Sequence, residues 1–243
     1  MSELVELGAG YSRKTQILLD ALENHGGKRY VALDVSASAL EASAPRLIAD
    51  HPTLSIEGYV ADFEGNLDIV EHKGRRLVAF LGSTLGNFGP GERAAFLRRV
   101  QAMLAPGDAL LIGIDLVKDT EVLEAAYDDS AGVAAEFGLN LLNVLNRELD
   151  GNFRLEDFEY VATFDPEENW IDMRLRAKRD LIAHLSKVDL DVHFAKGEEL
   201  RTEVSSKFTR EKMEDILQRS GLKLEAWHTD PDNWFALALA VKA

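Results

Sequence analysis

A short apolar run that breaks into Gly-x-Gly and then into a helical pattern constrains this chain more than any other stretch. Leu4 to Leu7 reads as a strand and Gly8-Ala9-Gly10 as a tight turn. Ser12 to Glu23 reads as a helix with Ile17, Leu18, Ala21 and Leu22 as its apolar positions. Strand, glycine turn, helix is the opening βα unit of a doubly wound α/β domain. Glycine lets the backbone turn sharply and lets a ligand lie against it with no Cβ in the way. Where the dinucleotide fingerprint carries its third glycine, this chain has Arg13. The turn therefore suits a nucleoside ligand without phosphates better than a pyrophosphate.

The alternation continues. Tyr30–Val35, Ser55–Ala61, Arg76–Leu81 and Asp108–Leu116 read as strands, and Ser36–Ala49 and Pro90–Leu104 as helices. Ser36 or Ser38 is the expected N-cap of the first of these helices, and proline opens the second. Near-continuous apolar runs such as Leu77-Val78-Ala79-Phe80-Leu81 suit parallel strands buried on both faces. From Thr120 to Leu145 one or two helices follow. Ile171, Met173 and Leu175 then alternate with polar residues, as do Leu190, Val192 and Phe194, which predicts antiparallel sheet with one wet face. Lys207–Ser220 returns to helix, and Leu222–Thr229 and Phe235–Val241 read as strands around Asp230-Pro231-Asp232-Asn233. The expected organisation is a seven-stranded domain from residues 1–117 and 208–243, with an α+β domain inserted at 118–207.

Composition narrows the function classes. A formal net charge of −15 and a pI near 4.8 disfavour a nucleic-acid partner. With no cysteine, thiol nucleophiles, disulfides and thiolate metal sites are excluded. The six histidines are scattered without the i, i+4 spacing of a helical metal site, so no metal is expected. Neither a basic, apolar leader nor a membrane span is visible, which points to a cytoplasmic enzyme. S-adenosylmethionine (SAM) is the common ligand for such a sheet with an incomplete pyrophosphate turn.

Five motifs in order carry a resemblance. They are Glu6-Leu7-Gly8-Ala9-Gly10-Tyr11-Ser12-Arg13-Lys14-Thr15, Gly82-Ser83-Thr84-Leu85-Gly86-Asn87, Ala126-Tyr127-Asp128-Asp129, Asn146-Arg147-Glu148-Leu149, and Arg201-Thr202-Glu203-Val204-Ser205-Ser206-Lys207-Phe208. Together they resemble the histidine-specific methyltransferases of ergothioneine biosynthesis, from about residue 3 to the C-terminus. The resemblance implies a Rossmann-like class I methyltransferase sheet, SAM as cofactor, and conversion of L-histidine to its trimethyl betaine, hercynine. Members of that family carry several tens of residues ahead of the first strand, which help cover SAM and supply tyrosines to the amino-acid pocket. With strand one starting at residue 4, the resemblance implies weaker histidine binding and slower turnover here.

The resemblance also assigns roles, each with a plainer alternative. Gly8 and Gly10 form the cofactor turn, or simply a turn. Lys14, placed in the first helical turn, lies near the SAM carboxylate or is solvated. Asp34 accepts from both ribose hydroxyls or caps the next helix. Asp62 meets the adenine amino group and Phe63 the ring, or Phe63 only packs in the core. Asn87 holds the substrate's amino and carboxylate groups or serves its own turn. Tyr127 donates to that carboxylate or is a core tyrosine. Glu203 and Ser205, two apart in an extended stretch, face one way and read the imidazole, or form an exposed strand face. Thr202 and Val204 face the other way. Met173 packs on the ring or in the core.

The reaction implied is an in-line displacement at the sulfonium methyl. Orientation of an uncharged amine can lower such a barrier by about 7–11 kcal/mol. The residues name no dedicated base, and Asn87 as acceptor with proton loss to water is the expectation. Other readings are a methyltransferase for a different amino acid, a non-catalytic SAM- or amino-acid-binding protein, and a nicotinamide oxidoreductase. A small-molecule partner and a monomer are expected.

Overall fold

The computed structural model describes residues 1–65 and 67–243. They divide into two compact units, Met1–Leu116 with Phe208–Ala243, and Val117–Lys207.

The first unit is built on β1 (Glu3–Leu7), α1 (Gln16–Asn24), β2 (Arg29–Asp34), α2 (Ala37–Asp50), β3 (Ser55–Val60), β4 (Arg76–Phe80), α3 (Pro90–Met103) and β5 (Ala109–Asp115). Beyond the second unit's segment come α6 (Arg210–Arg219), β11 (Leu222–Thr229) and β12 (Phe235–Lys242). The seven strands lie in the order β11-β12-β5-β4-β1-β2-β3. All pairings are parallel except those of β12, which runs antiparallel to β5 and β11. The chain moves outward from β1 to β3, then returns through β4 beside β1. That reversal between β1 and β4 is the switch point at which open α/β sheets bind ligands, outside the carboxyl ends of the strands.

Apolar strands explain the core. Val5, Leu7, Val31, Leu33, Val78, Phe80, Leu110 and Ile112 are buried in one continuous cluster with Phe96 and Leu97 of α3. At the other end of the strands, charge sets the register. Glu3 pairs laterally with Arg29 and Arg76, and its carboxylate accepts from Arg29 Nη1 at 2.6 Å and from Arg76 Nε at 2.7 Å, all three buried. Arg29 continues to Glu57 of β3 at 2.7 and 2.8 Å. Buried charges are tolerated only when paired and hydrogen-bonded in this way.

Capping follows the sequence in part. Ser36 is the N-cap of α2 and its hydroxyl accepts from Ala39 N at 3.2 Å. The first helix differs from expectation. Ser12 adopts φ +49°, so α1 begins only at Gln16, and Lys14 lies ahead of the helix rather than in its first turn. Ile17, expected as an apolar helix position, is 78% exposed.

The second unit holds α4 (Thr120–Tyr127), α5 (Val133–Leu149), β6 (Phe158–Asp165), β7 (Trp170–Ala177), β8 (Leu181–Leu185), β9 (Leu190–Phe194) and β10 (Glu199–Ser206). Strands β10-β7-β6 form one antiparallel sheet, and β8 and β9 a separate hairpin. Leu142, Phe153, Phe158, Leu175 and Phe194 form its core. Two of the quoted motifs prove to be fasteners. Asn146 clamps Phe153, donating to its carbonyl and accepting from its N–H, both at 2.8 Å. Asp129 caps α5, accepting from Val133 N and Ala134 N. The predicted wet face of β7 is not simply wet. Asp172 is 5% exposed, held by Arg174 and Arg201 at 2.6 Å each. Leu190, expected inward on β9, is 49% exposed. Among the described residues no helix is long and apolar enough to cross a membrane.

Candidate functional site

The cofactor candidates of the first unit gather at the carboxyl ends of β1, β2, β3 and β4. Gly8 and Gly10 follow β1 with φ of +70° and +51°, a region L side chains rarely adopt. A Cβ on Gly8 would lie 3.4 Å from the Phe63 ring, while Gly10 opens onto empty space. Asp34 ends β2 and braces the turn. Its Oδ2 accepts from Gly10 N at 2.7 Å and its Oδ1 from Ser36 N at 2.9 Å. An ionised carboxylate has about four acceptor sites, so one on each oxygen is left for a ligand's hydroxyls. Lys14 reaches toward β4, its Nζ 3.0 Å from where a Cβ on Gly82 would stand.

Phe63 meets Phe80, Phe88 and Phe96 edge-on at 5.3, 6.3 and 6.0 Å. It is packed into the core and also backs the glycine turn. Asp62 is exposed and closes its own turn, accepting from Glu64 N at 2.8 Å. Asn87 is exposed at the end of a single 3₁₀ turn, Thr84–Asn87. That turn hangs on Ser83, which adopts φ +63° and accepts from Asp115 N at 2.9 Å.

Two residues that the sequence did not single out hold this end together. Glu6, 3% exposed, accepts from Thr15 Oγ1 at 2.7 and 2.6 Å and from Tyr30 Oη at 2.5 Å. Tyr30 in turn bonds Ser12 at 2.9 Å, so the glycine turn is tied to the strands below it. Burial pushes the Glu6 carboxyl above the usual range, opposed by the hydroxyls that donate to it. Arg93 of α3, 4% exposed, donates to the carbonyls of Leu85 at 3.2 Å and Phe88 at 2.9 Å and stacks on Phe208 at 4.8 Å. It is thus the internal support of the Asn87 turn, and burial lowers its pKa to about 10. A buried acid followed by Gly-x-Gly was a signal for Glu6. Nothing in the polar spacing of α3 signalled Arg93.

In the second unit, the register places Glu203 of β10 directly opposite Met173 of β7. Both line a cavity of about 240 Å³ with Phe137, Gly138, Tyr160 and Thr202. Thr202 corrects the expected alternation. A bulge between Arg201 and Glu203 leaves it unpaired, so it joins Glu203 at the cavity instead of facing away. Such bulges re-aim side chains, and no residue type announces them. Burial pushes the Glu203 carboxyl up. Tyr160 is pushed up to about 12, by burial first and then by Glu203. Ser205 lies two residues on and is bonded to Tyr127 at 2.9 Å. Lys207, 1% exposed and not anticipated, donates to Tyr127 Oη and to Ser205 Oγ, both at 2.8 Å.

A family model described as histidine-specific, SAM-dependent methyltransferase matches residues 1–242. The chain belongs to the histidine-specific, SAM-dependent methyltransferase family. It is 47% identical to the histidine N-alpha-methyltransferase of Mycolicibacterium smegmatis and 45% identical to that of Mycobacterium tuberculosis. Each alignment covers 98% of this chain and 75% of the relative. An L-tryptophan methyltransferase of Psilocybe serbica is 28% identical over 97% of this chain and 72% of its own length. Among solved structures, the glycopeptide N-methyltransferase MtfA complexed with SAM aligns with a TM-score of 0.52 at 16% identity. That alignment covers 100% of this chain and 88% of MtfA. A SAM-dependent methyltransferase from Clostridium acetobutylicum aligns at 0.54 and 12% identity, covering 100% of this chain and 84% of the other. These likenesses show the class I methyltransferase fold, as the strand alternation predicts, and SAM is the family's cofactor.

Proposed function

We propose that this family member methylates the α-amino group of L-histidine, in three rounds, to the trimethyl betaine hercynine of ergothioneine biosynthesis. The observation that carries the reading is the register that sets Glu203 against Met173 on one cavity wall, with Ser205 next along the same strand. A carboxylate, a hydroxyl and an apolar thioether are what an imidazole needs to be told from a phenyl or indole ring. The mycobacterial relatives' names support the same substrate.

SAM, when bound, supplies a methyl group already activated by the sulfonium charge. The glycine turn fits such a ligand, because Gly8 and Gly10 leave no Cβ over it and Asp34 keeps an acceptor site on each oxygen for ribose hydroxyls. Lys14 would meet the ligand's carboxylate, and Asp62 and Phe63 its adenine. Asn87 would hold the histidine amino group as acceptor and the carboxylate as donor. Tyr127 is bonded to Ser205 and Lys207, and its single proton would not serve that carboxylate as well. The amine must be uncharged when it attacks, and its proton leaves to water. Asn87 would hold the uncharged amine for each of the three transfers that the bound methyl donor would supply.

The test is a mass assay of the purified chain with SAM and each of the twenty amino acids. Gains of one, two and three methyl groups on histidine are expected. Methylation of tryptophan with histidine untouched would overturn the substrate assignment.

A further inference from the structure

The triangle of Tyr127, Ser205 and Lys207 does more than fill space. Lys207 Nζ lies 2.8 Å from both hydroxyl oxygens and 4.4 Å from the centre of the Tyr127 ring. An ammonium donates only, so both oxygens must accept from it. The two hydroxyls also bond each other at 2.9 Å, and one of them must be the donor. The phenol is the stronger acid and the alkyl hydroxyl the better acceptor, so Tyr127 donates to Ser205. A hydroxyl has two lone pairs and one proton. Ser205 then has both lone pairs occupied, one by Lys207 and one by Tyr127.

We propose that Lys207 is a positioning residue which, with Tyr127, converts Ser205 from an ambivalent hydroxyl into an obligate donor toward the ring of the bound amino acid. This rests on the histidine reading above. Two residues away on the same strand, Glu203 is the acceptor. A donor and an acceptor of set polarity select a ring that offers one bare nitrogen and one N–H, which is a neutral imidazole in a single tautomer. An unassisted serine would accept or donate with equal ease and would select nothing. The sequence hides this arrangement. Ser205 reads as part of an extended stretch and Lys207 as the start of the helical pattern that follows, and Tyr127 lies far away in the chain.

Calorimetry in the presence of S-adenosylhomocysteine tests it with three ligands. They are histidine, thiazol-4-ylalanine, whose ring only accepts, and pyrrol-2-ylalanine, whose ring only donates. In Lys207→Met, histidine and thiazol-4-ylalanine should lose affinity by about tenfold, the scale of one hydrogen bond. Pyrrol-2-ylalanine should hold or gain, because a lone pair of Ser205 has been released to accept from it. An equal loss for all three ligands, or no change for any, overturns the proposal. If Lys207→Met does not fold, Tyr127→Phe frees one lone pair with Lys207 in place. It should give the same difference between the two analogues at smaller size, and an equal loss again overturns the proposal. Absence of histidine binding in the unaltered protein would instead overturn the histidine reading, and this inference with it.

Discussion

Replacing Asp34 by Asn tests the cofactor end of the molecule most directly, because the two side chains differ by little except one acceptor. In the structure both carboxylate oxygens accept a backbone N–H, from Gly10 at 2.7 Å and from Ser36 at 2.9 Å. An amide has one oxygen, so one of those N–H groups would face an NH₂ in the variant. Losing a hydrogen bond to a charged acceptor costs about 1.5–3 kcal/mol. If that cost falls on the ligand-bound form, SAM affinity drops by about 10- to 150-fold. Global stability should change less, since the Glu6, Thr15 and Tyr30 bonds that tie the same turn to the sheet are untouched. Titration calorimetry with SAM, run beside a thermal melt, separates the two effects. Binding within twofold of the unaltered protein would refute the assignment. A large fall in melting temperature with unchanged affinity would make Asp34 a structural brace alone.

Glu203→Ala should lower kcat/KM for histidine by more than for phenylalanine, and a uniform loss in a competition assay would make Glu203 structural. Gly138→Ala would place a Cβ 2.5 Å from the Tyr160 ring, so overpacking of about 1–3 kcal/mol is expected, read as a lower denaturation midpoint with weaker histidine binding. Glu57 is held at about 2, chiefly by its bonds from Arg29. Because that pKa lies below its unfolded value, the pair stabilises the protein above roughly pH 4.3 and the gain is lost as pH falls toward about 2. Glu57→Gln should therefore narrow the gap between neutral and acid stability, by about 1 kcal/mol for a partly exposed pair, and an unaltered pH–stability curve would count against it.

What could be read from residues alone was what repeats or what has a single physical cause. Near-continuous apolar runs between helical patterns gave away the parallel sheet, and Gly8 and Gly10 marked the turn after β1 because little else turns so tightly. The first helix began four residues later than expected, since a serine at φ +49° looks like any serine. Thr202 defied strict alternation because a bulge is a property of pairing between two strands, not of one. Arg93 and Lys207 were missed for a shared reason. Long basic side chains are usually solvated, and here each is buried by partners distant in sequence, such as Phe208 for Arg93 and Tyr127 for Lys207.

The chain leaves the seven-stranded unit after Leu116 and re-enters it at Phe208, and those two residues form a parallel bridge, with Phe208 N donating to Asp115 O at 3.0 Å. Exit and re-entry are thus side by side, about 5 Å apart, the spacing of neighbouring strands. Everything between them is, to the sheet, one closed loop whose closure entropy grows only as the logarithm of its length. On closure entropy alone, the length of what lies between the two ends matters little. Because the two residues run parallel, the connection must cross back over the sheet and needs about a dozen residues or more, which a folded unit amply supplies. By the same reasoning, a different folded unit could be spliced in at this clasp without redesigning the cofactor end. Change at this point of the chain could then come by exchange of a whole module rather than by substitution residue by residue.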